Sequence, residues 1–338
     1  MSYQEIFVAA PFGNLDAEIE SCKSTVGIFH TPHIGLIQCE GADVLDLLQR
    51  MSTNNLIDIQ EYEQIPTILT NENGRIIDIL YVFSVKSSIY MMCSPNNETK
   101  VIDWLERYTF MEEASFHNIS THFTSFQLQG PKAFDLIKTV FHLEDNIENK
   151  DVISCRLDGL DVLAVHLKMN LRSFFLILTP PKLSAKTWEQ FTDLGATPVG
   201  IKAWEVARVE AGIPLIAKEI TEKTNPLEIG AIGAIDFAKG CYIGQEVIAR
   251  LDTYNKVQKR LVMLDIADDT GLKENTNLLI DNKKVGTITS INPRKGNGHI
   301  TAMGYVKPEY ANRGQHICFQ GSTVTAIIKN IPILFEST

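Results

Sequence analysis

The chain has 338 residues, 44% hydrophobic and 21% charged, the balance of a globular protein with more than one core. Its 31 Lys and Arg against 41 Asp and Glu leave a formal net charge of −10, which excludes broad contact with a nucleic-acid backbone. No apolar run reaches the roughly 18–20 residues that span a bilayer. The start Met1-Ser2-Tyr3-Gln4-Glu5 has no secretion-signal pattern. A cytoplasmic location is the expectation, with neither a membrane nor a nucleic acid as partner. The six cysteines (22, 39, 93, 155, 241 and 318) are scattered without any CxxC, against a disulfide framework or a zinc site.

In chain order, Ala42 to Met51 spaces Val44, Leu47, Leu48 and Met51 as the apolar face of a helix. Two strands follow, 65–70 and 76–85, joined by Asn71-Glu72-Asn73-Gly74, a strong hairpin signal. A strand over 89–93 and a helix carrying Val101, Leu105 and Tyr108 complete a first unit. A second unit begins near Phe126. Gly130-Pro131 opens a helix with the stripe Phe134, Ile137, Val140 and Phe141. Strands at 160–167 and 173–179 follow, and then a helix with Trp188, Phe191 and Leu194. A helix over 201–211 stops at Gly212, with Pro214 just beyond. After about Lys256 the pattern turns to short strands at 261–266, 277–280, 285–291, 302–306 and 323–328. Turn signals at Asp281-Asn282 and Gly296-Asn297-Gly298 separate them, as in a small β barrel or sandwich.

Four segments carry polar groups suited to chemistry. Lys239-Gly240-Cys241-Tyr242-Ile243-Gly244-Gln245-Glu246 packs an amine, a thiol, a phenol and a carboxylate between two glycines. The Lys239 charge two positions from Cys241 favours the thiolate; the plain alternative is a tight loop with a buried cysteine. Glu210 lies near the end of a helix with small residues one turn back. A carboxylate there can accept two parallel N–H bonds from a flat heterocycle edge, or simply pair with Arg208 or Lys202. Asp78, in Ile76-Ile77-Asp78-Ile79-Leu80-Tyr81-Val82, shares a strand face with Leu80 and Val82 and needs a partner or a ligand. Met51-Ser52-Thr53-Asn54-Asn55 consists of ordinary turn formers at a helix end.

Lys239 to Glu246, extended by Val247-Ile248-Ala249-Arg250, resembles the signature of the YgfZ family of folate-binding proteins. Glu210-Ala211-Gly212-Ile213-Pro214 and Asn225-Pro226-Leu227-Glu228 are similar to segments shared by that family and the glycine-cleavage T protein, an aminomethyltransferase. The run from Gly27 to Gly35, the segment Leu48 to Asn55, and Asn73-Gly74-Arg75-Ile76-Ile77-Asp78 are similar to T-protein stretches. The resemblance spans about residues 20 to 250.

The resemblance implies an α+β fold of three domains around a central folate-binding cavity, the last domain an all-β barrel. Residues 1–125 with about 200–255 would form the folate-binding domain, 126–199 the middle domain, and 256–338 the barrel. It implies tetrahydrofolate as cofactor, with Glu210 on the pterin edge and Asp78 near the reactive folate nitrogens. Ile79 stands where the T protein often has the second aspartate of a pair, and Asn55 where it often has Asp. Cys241 matches the cysteine typical of the YgfZ branch. Lys239, Tyr242 and Asn54 are further binding candidates, and Cys241 with Asp78 the catalytic ones. Two functions follow from the resemblance. One is folate-dependent support of iron–sulfur cluster assembly or repair, with iron–sulfur assembly proteins as partners. The other is transfer of a one-carbon unit from a lipoyl carrier protein to tetrahydrofolate. A folate-binding module without chemistry of its own would need Glu210 but not Cys241.

Overall fold

The computed structural model describes residues 12–31, 34–144, 150–170, 172–267, 271–292, 300–322 and 324–335. Met1 to Glu5, Pro32 and His33 of the N-terminal run, the Gly296-Asn297-Gly298 turn and Thr323 lie outside them. The elements are α1 (Leu15–Ser24), β1 (Gly27–Thr31), β2 (Gly35–Glu40), α2 (Val44–Met51), β3 (Gln64–Thr70), β4 (Ile76–Val85), β5 (Ser88–Cys93), α3 (Glu98–Glu106) and β6 (Ser115–Asn118). There follow β7 (Thr124–Gln129), α4 (Ala133–Phe141), β8 (Val152–Leu157), β9 (Leu160–Met169), β10 (Arg172–Thr179), α5 (Ser184–Asp193), β11 (Thr197–Pro198), α6 (Ile201–Ala211) and α7 (Gln245–Thr253). The last strands are β12 (Arg260–Ile266), β13 (Asn277–Ile280), β14 (Lys283–Ile291), β15 (Ile300–Val306), β16 (His316–Phe319) and β17 (Thr325–Asn330).

The strands form a five-stranded sheet, β3-β4-β5-β2-β6, a six-stranded sheet, β11-β1-β7-β10-β9-β8, and a closed barrel, β12-β15-β14-β13-β16-β17. The architecture is the expected α+β one with a C-terminal β barrel. Each open sheet buries one face under helices. Val44, Leu47, Leu48 and Met51 of α2, with Val101 and Leu105 of α3, cover the first sheet. Ile137, Val140 and Phe141 of α4, with Phe191 of α5, cover the second. The other faces meet each other through Leu36, Phe83, Val85 and Met92 on one side and Leu163, Val165, Leu176 and Leu178 on the other. Burial on both faces explains why β4 reads as one nearly unbroken apolar run rather than an alternating strand.

Residues 27–31, grouped by the sequence reading with residues 1–125, pair as β1 between antiparallel β7 and parallel β11. Helices α1 and α6 pack on that same six-stranded sheet, with Ile19, Cys22, Phe29, Ala203 and Val206 in one cluster. Pairings between segments about 100 residues apart leave no local pattern, and strand periodicity does not reveal them. α6 ends as expected: Gly212 adopts φ 66°, and its N–H closes the helix on Arg208 O and Val209 O. Strands β1, β2, β6, β7, β8, β11 and β16 and helices α1 and α7 are not among the elements expected from sequence. β16 has only 4 residues and α7 buries only Ile248, so neither has much periodic signal.

Candidate functional site

A cavity of about 320 Å³ opens at one end of the interface between the two sheets. Ile79 and Tyr81 of β4, Met92 and Cys93 of β5, and the loop from Ser94 to Asn97 line one side. Phe29 and Thr31 of β1, Gln127 of β7, Leu167 and Met169 of β9, and Phe174 of β10 line the other. Trp204 of α6 and the segment from Ile213 to Ala217, with Ile220, close it. Trp204 stacks on Phe29 with ring centroids 5.4 Å apart, and its Nε1 donates to Gln127 Oε1. No described lining residue is an Asp, Glu, Lys, Arg or His. The described residues of the barrel supply none of the lining.

Asp78 lies behind this wall. The pleat of β4 turns Ile79 and Tyr81 to the cavity and sends Leu80 and Val82 into the core under α2 and α3. The Asp78 carboxylate is fully buried and accepts from Ser94 N at 3.0 Å, Ser94 Oγ at 2.7 Å, Asn97 Nδ2 at 2.8 Å and Ile79 N at 2.8 Å. Burial raises its pKa, and these hydrogen bonds oppose the rise. Its role here is to pin the loop 94–97 that lines the cavity; it does not face the cavity itself. The strand position that does so is Ile79. Burial also pushes the neighbouring Cys93 thiol well up, which suits a packing residue and not a nucleophile.

Glu210 is not at the cavity either. Trp204 is the residue that α6 presents there, and Glu210, six positions on, is rotated by about 240° around the helix. Its carboxylate pairs with Lys23 of α1 at 2.7 Å and accepts from Asn292 Nδ2 at 3.4 Å. The sequence reading named Arg208 or Lys202 as the plain ion-pair partner; α1, brought in by tertiary packing, supplies Lys23 instead.

The signature segment lies on the far side of the first sheet. Lys239 Nζ donates to Gln49 O, Ser52 O and Asn54 O at 2.7, 2.8 and 2.6 Å, and Ile243 N donates to Arg50 O. These bonds satisfy backbone carbonyls around the C-terminal end of α2. The ammonium is therefore committed away from both Cys241 and the cavity, and burial pulls its pKa down to about 8 against the pull of Asp236. Asn54 is likewise engaged, donating from Nδ2 to Pro66 O at 2.8 Å. Tyr242 is buried with Leu227, Ile235, Ile248 and Val257, and burial raises its phenol to about 12. Gly244 takes φ 85°, where a Cβ would come within 2.6 Å of Asn71 O in the β3–β4 hairpin. The segment is thus clamped to α2 and to the hairpin of β4, and Cys241 is left exposed between the clamps. The candidate residues do not converge on one site: Asp78 backs the cavity, Glu210 faces α1, and Lys239, Tyr242 and Asn54 hold the signature loop. Among the described residues no cluster of three His, Cys, Asp or Glu could hold a metal ion.

Sequence reasoning passed over Trp204, Phe29, Tyr81, Phe174, Gln127 and the segment 213–217. The one signal available was a tryptophan in a helix whose buried apolar residues are Ala and Val.

Fold and site together describe a three-unit protein with an aromatic, uncharged cavity between two sheets and a barrel packed beside it. The chain belongs to the glycine-cleavage T-protein family: residues 3–239 match the GCVT N-terminal domain, and 259–328 the glycine cleavage T-protein C-terminal barrel domain. A chloroplastic protein of Arabidopsis thaliana, named as a transferase, is 29% identical over 97% of this chain and 76% of its own length. An aminomethyltransferase of Thermoanaerobacter pseudethanolicus is 24% identical over 82% of this chain and 77% of its own. The crystal structure of aminomethyltransferase T from Bartonella henselae superposes with a TM-score of 0.83 at 20% identity, covering 98% of this chain and 92% of that one.

Proposed function

We propose that the protein binds tetrahydrofolate in the cavity between its two sheets and supports iron–sulfur cluster assembly or repair through Cys241. The observation that carries the folate part is the cavity itself. Phe29, Tyr81, Phe174 and Trp204 offer aromatic surface to a flat bicyclic ring, and Thr31, Ser94, Asn97 and Gln127 add polar groups at the walls. Such a slot, apolar with a few convergent polar groups, suits a heterocyclic ligand of this size. These residues would bind and orient the ring and exclude water from it. A charged glutamyl tail finds no described counter-ion in the lining and would extend outward.

Cys241 is one of two exposed thiols among the six cysteines. One thiol does not hold a cluster, which takes about four ligands, so a partner protein must supply the rest. The site of chemistry is then on the surface, away from the folate. A cytoplasmic location belongs to this same proposal.

The rival reading, aminomethyl transfer from a lipoyl carrier, is favoured by what the curated relatives are named. Against it stands Ile79. Proton handling at the folate nitrogens calls for a wall group that ionises near neutral pH; where β4 and β5 face the cavity stand Ile79, Tyr81 and Cys93, and burial raises both the phenol and the thiol.

Titration of tetrahydrofolate into purified protein, followed by calorimetry and by tryptophan fluorescence, tests the folate part; no saturable binding up to millimolar ligand would sink it. Complementation of a deletion strain tests the rest. Cys241→Ser is expected to fail to restore iron–sulfur enzyme activity, and full restoration would remove the assembly role. Glycine-cleavage exchange with lipoyl carrier and folate present is expected to be absent; turnover would decide for the transferase.

A further inference from the structure

No described barrel residue lines the cavity, yet the barrel reaches the cavity wall through a buried relay. The wall segment Ile213–Ala217 continues directly from α6. It is held in an unusual shape: Ala217 takes φ 66°, a left-handed conformation that costs a non-glycine residue free energy and persists only where the surroundings impose it. Its backbone closes on itself through Ala217 N to Ile220 O and Ile220 N to Leu215 O. Two side chains then fasten it. Arg208 Nη1 donates to Ile213 O at 2.7 Å, and Glu219 Oε2 accepts from Leu215 N at 3.1 Å. Arg208 and Glu219 also pair with each other at 3.3 Å.

Both side chains meet the barrel at one hydroxyl, and Tyr305 of β15 adds a hydrogen bond from its Oη to Glu219 O at 2.9 Å. Ser290 Oγ donates to Glu219 Oε1 at 2.6 Å and accepts from Arg208 Nη2 at 2.8 Å. Arg208 is 3% exposed, and Glu219 and Ser290 are fully buried. Ser290 points there because β14 has a register irregularity against β15 between Ile288 and Ser290, and such irregularities re-aim side chains. A hydroxyl that bridges two buried charges in a water-excluded site resists substitution more than a surface one does.

We propose that Ser290, acting through Arg208 and Glu219, is a positioning residue for the cavity ligand: the barrel holds the strained wall 213–220 in its ligand-binding shape. The proposal rests on the folate reading only for the choice of ligand, because the state of the wall can be measured without one.

Three variants test it. Ser290→Ala removes the bridge but leaves Glu219 its bonds from Leu215 and Arg208, so the fold is retained. Its tetrahydrofolate affinity is expected to fall roughly ten- to a hundredfold, the weight of a hydrogen bond to a charged group. In the ligand-free protein its Leu215 and Ile220 amides are expected to exchange hydrogen faster. Ala217→Gly relieves the left-handed strain, so its melting temperature is expected to hold or rise while affinity falls roughly threefold or more through a looser wall. Ile317→Val, in the barrel core away from the relay, lowers stability and is expected to leave affinity unchanged. Equal loss of affinity in Ser290→Ala and Ile317→Val would reduce the relay to barrel stability and overturn the proposal. So would unchanged amide exchange in Ser290→Ala. Faster exchange in a protein that does not bind tetrahydrofolate at all would support the wall relay and refute the folate reading.

Discussion

Replacing Lys239 by methionine separates a scaffold role from a chemical one. Methionine keeps most of the aliphatic stem and deletes the ammonium, so Gln49 O, Ser52 O and Asn54 O lose one donor each. Hydrogen bonds to a charged group contribute about 1.5–3 kcal/mol each, so the gross loss is about 5–9 kcal/mol. Desolvating the ammonium costs several kcal/mol and offsets much of this, leaving a net destabilisation of about 2–4 kcal/mol. That loss is local to the end of α2 and the 239–243 loop. The assay pairs urea unfolding with the rate at which native Cys241 reacts with a thiol reagent; the variant should unfold at lower urea and react faster. The pKa of Lys239, about 8, lies below that of an unfolded lysine near 10.4. Between those values the unfolded chain binds more protons, so the lead of the wild type over the variant should widen as pH rises through that window. Unchanged urea midpoint and thiol rate would refute the capping argument. Lost tetrahydrofolate affinity with stability intact would return Lys239 to a ligand-binding role.

Asp78→Asn sets an amide N–H₂ against the donors of Ser94 and Asn97, so loss of about 2–4 kcal/mol at neutral pH is expected from urea unfolding. Because burial raises the Asp78 pKa in the folded state, its carboxyl contributes most below the unfolded value near 3.9 and less as pH rises; the deficit of the variant should therefore grow toward acid pH. Glu210→Ala is expected to leave tetrahydrofolate affinity within about twofold by calorimetry. It should cost no more than about 1 kcal/mol, since its ion pair with Lys23 is partly open to solvent. Alkylation of the native protein followed by mass spectrometry should label Cys241 and Cys318 and spare Cys22, Cys39, Cys93 and Cys155. Rapid labelling of Cys93 would show the cavity wall to be open.

Local patterns were readable where one residue's environment is set by its near neighbours. The hairpin at Asn71 to Gly74, the stop of α6 at Gly212 and the amphipathic stripe of α2 all follow from turn chemistry and helical spacing, and the structure has each of them. Strand alternation places Asp78 with Leu80 and Val82, and from Asp78 onward the register of β4 on β3 is regular. Alternation also places Ile77 with Ile79 and Tyr81, but at the irregularity beside Asp78, Ile77 packs with Leu80 and Val82 instead. Which side meets the cavity is set by the second sheet. Glu210 illustrates the opposite case. A carboxylate late in α6 has the same local sequence whether it faces a ligand or Lys23, and α1, nearly 200 residues earlier, decides between them.

The sequence by itself determined the α+β order of elements with a terminal β unit and the tight signature turn, because these rest on local composition and spacing; the T-protein family came from the resemblance of its motifs. The tertiary structure alone decided that the cavity lies between two sheets whose strands interleave along the chain, that Ile79 and not Asp78 faces it, and that the Lys239 ammonium donates to carbonyls at the end of α2. It also decided that Cys241 stands apart on the surface. Each of these depends on which distant backbone or side chain fills the space opposite a residue, and that is set by strand pairing and helix docking across 19 to 190 positions.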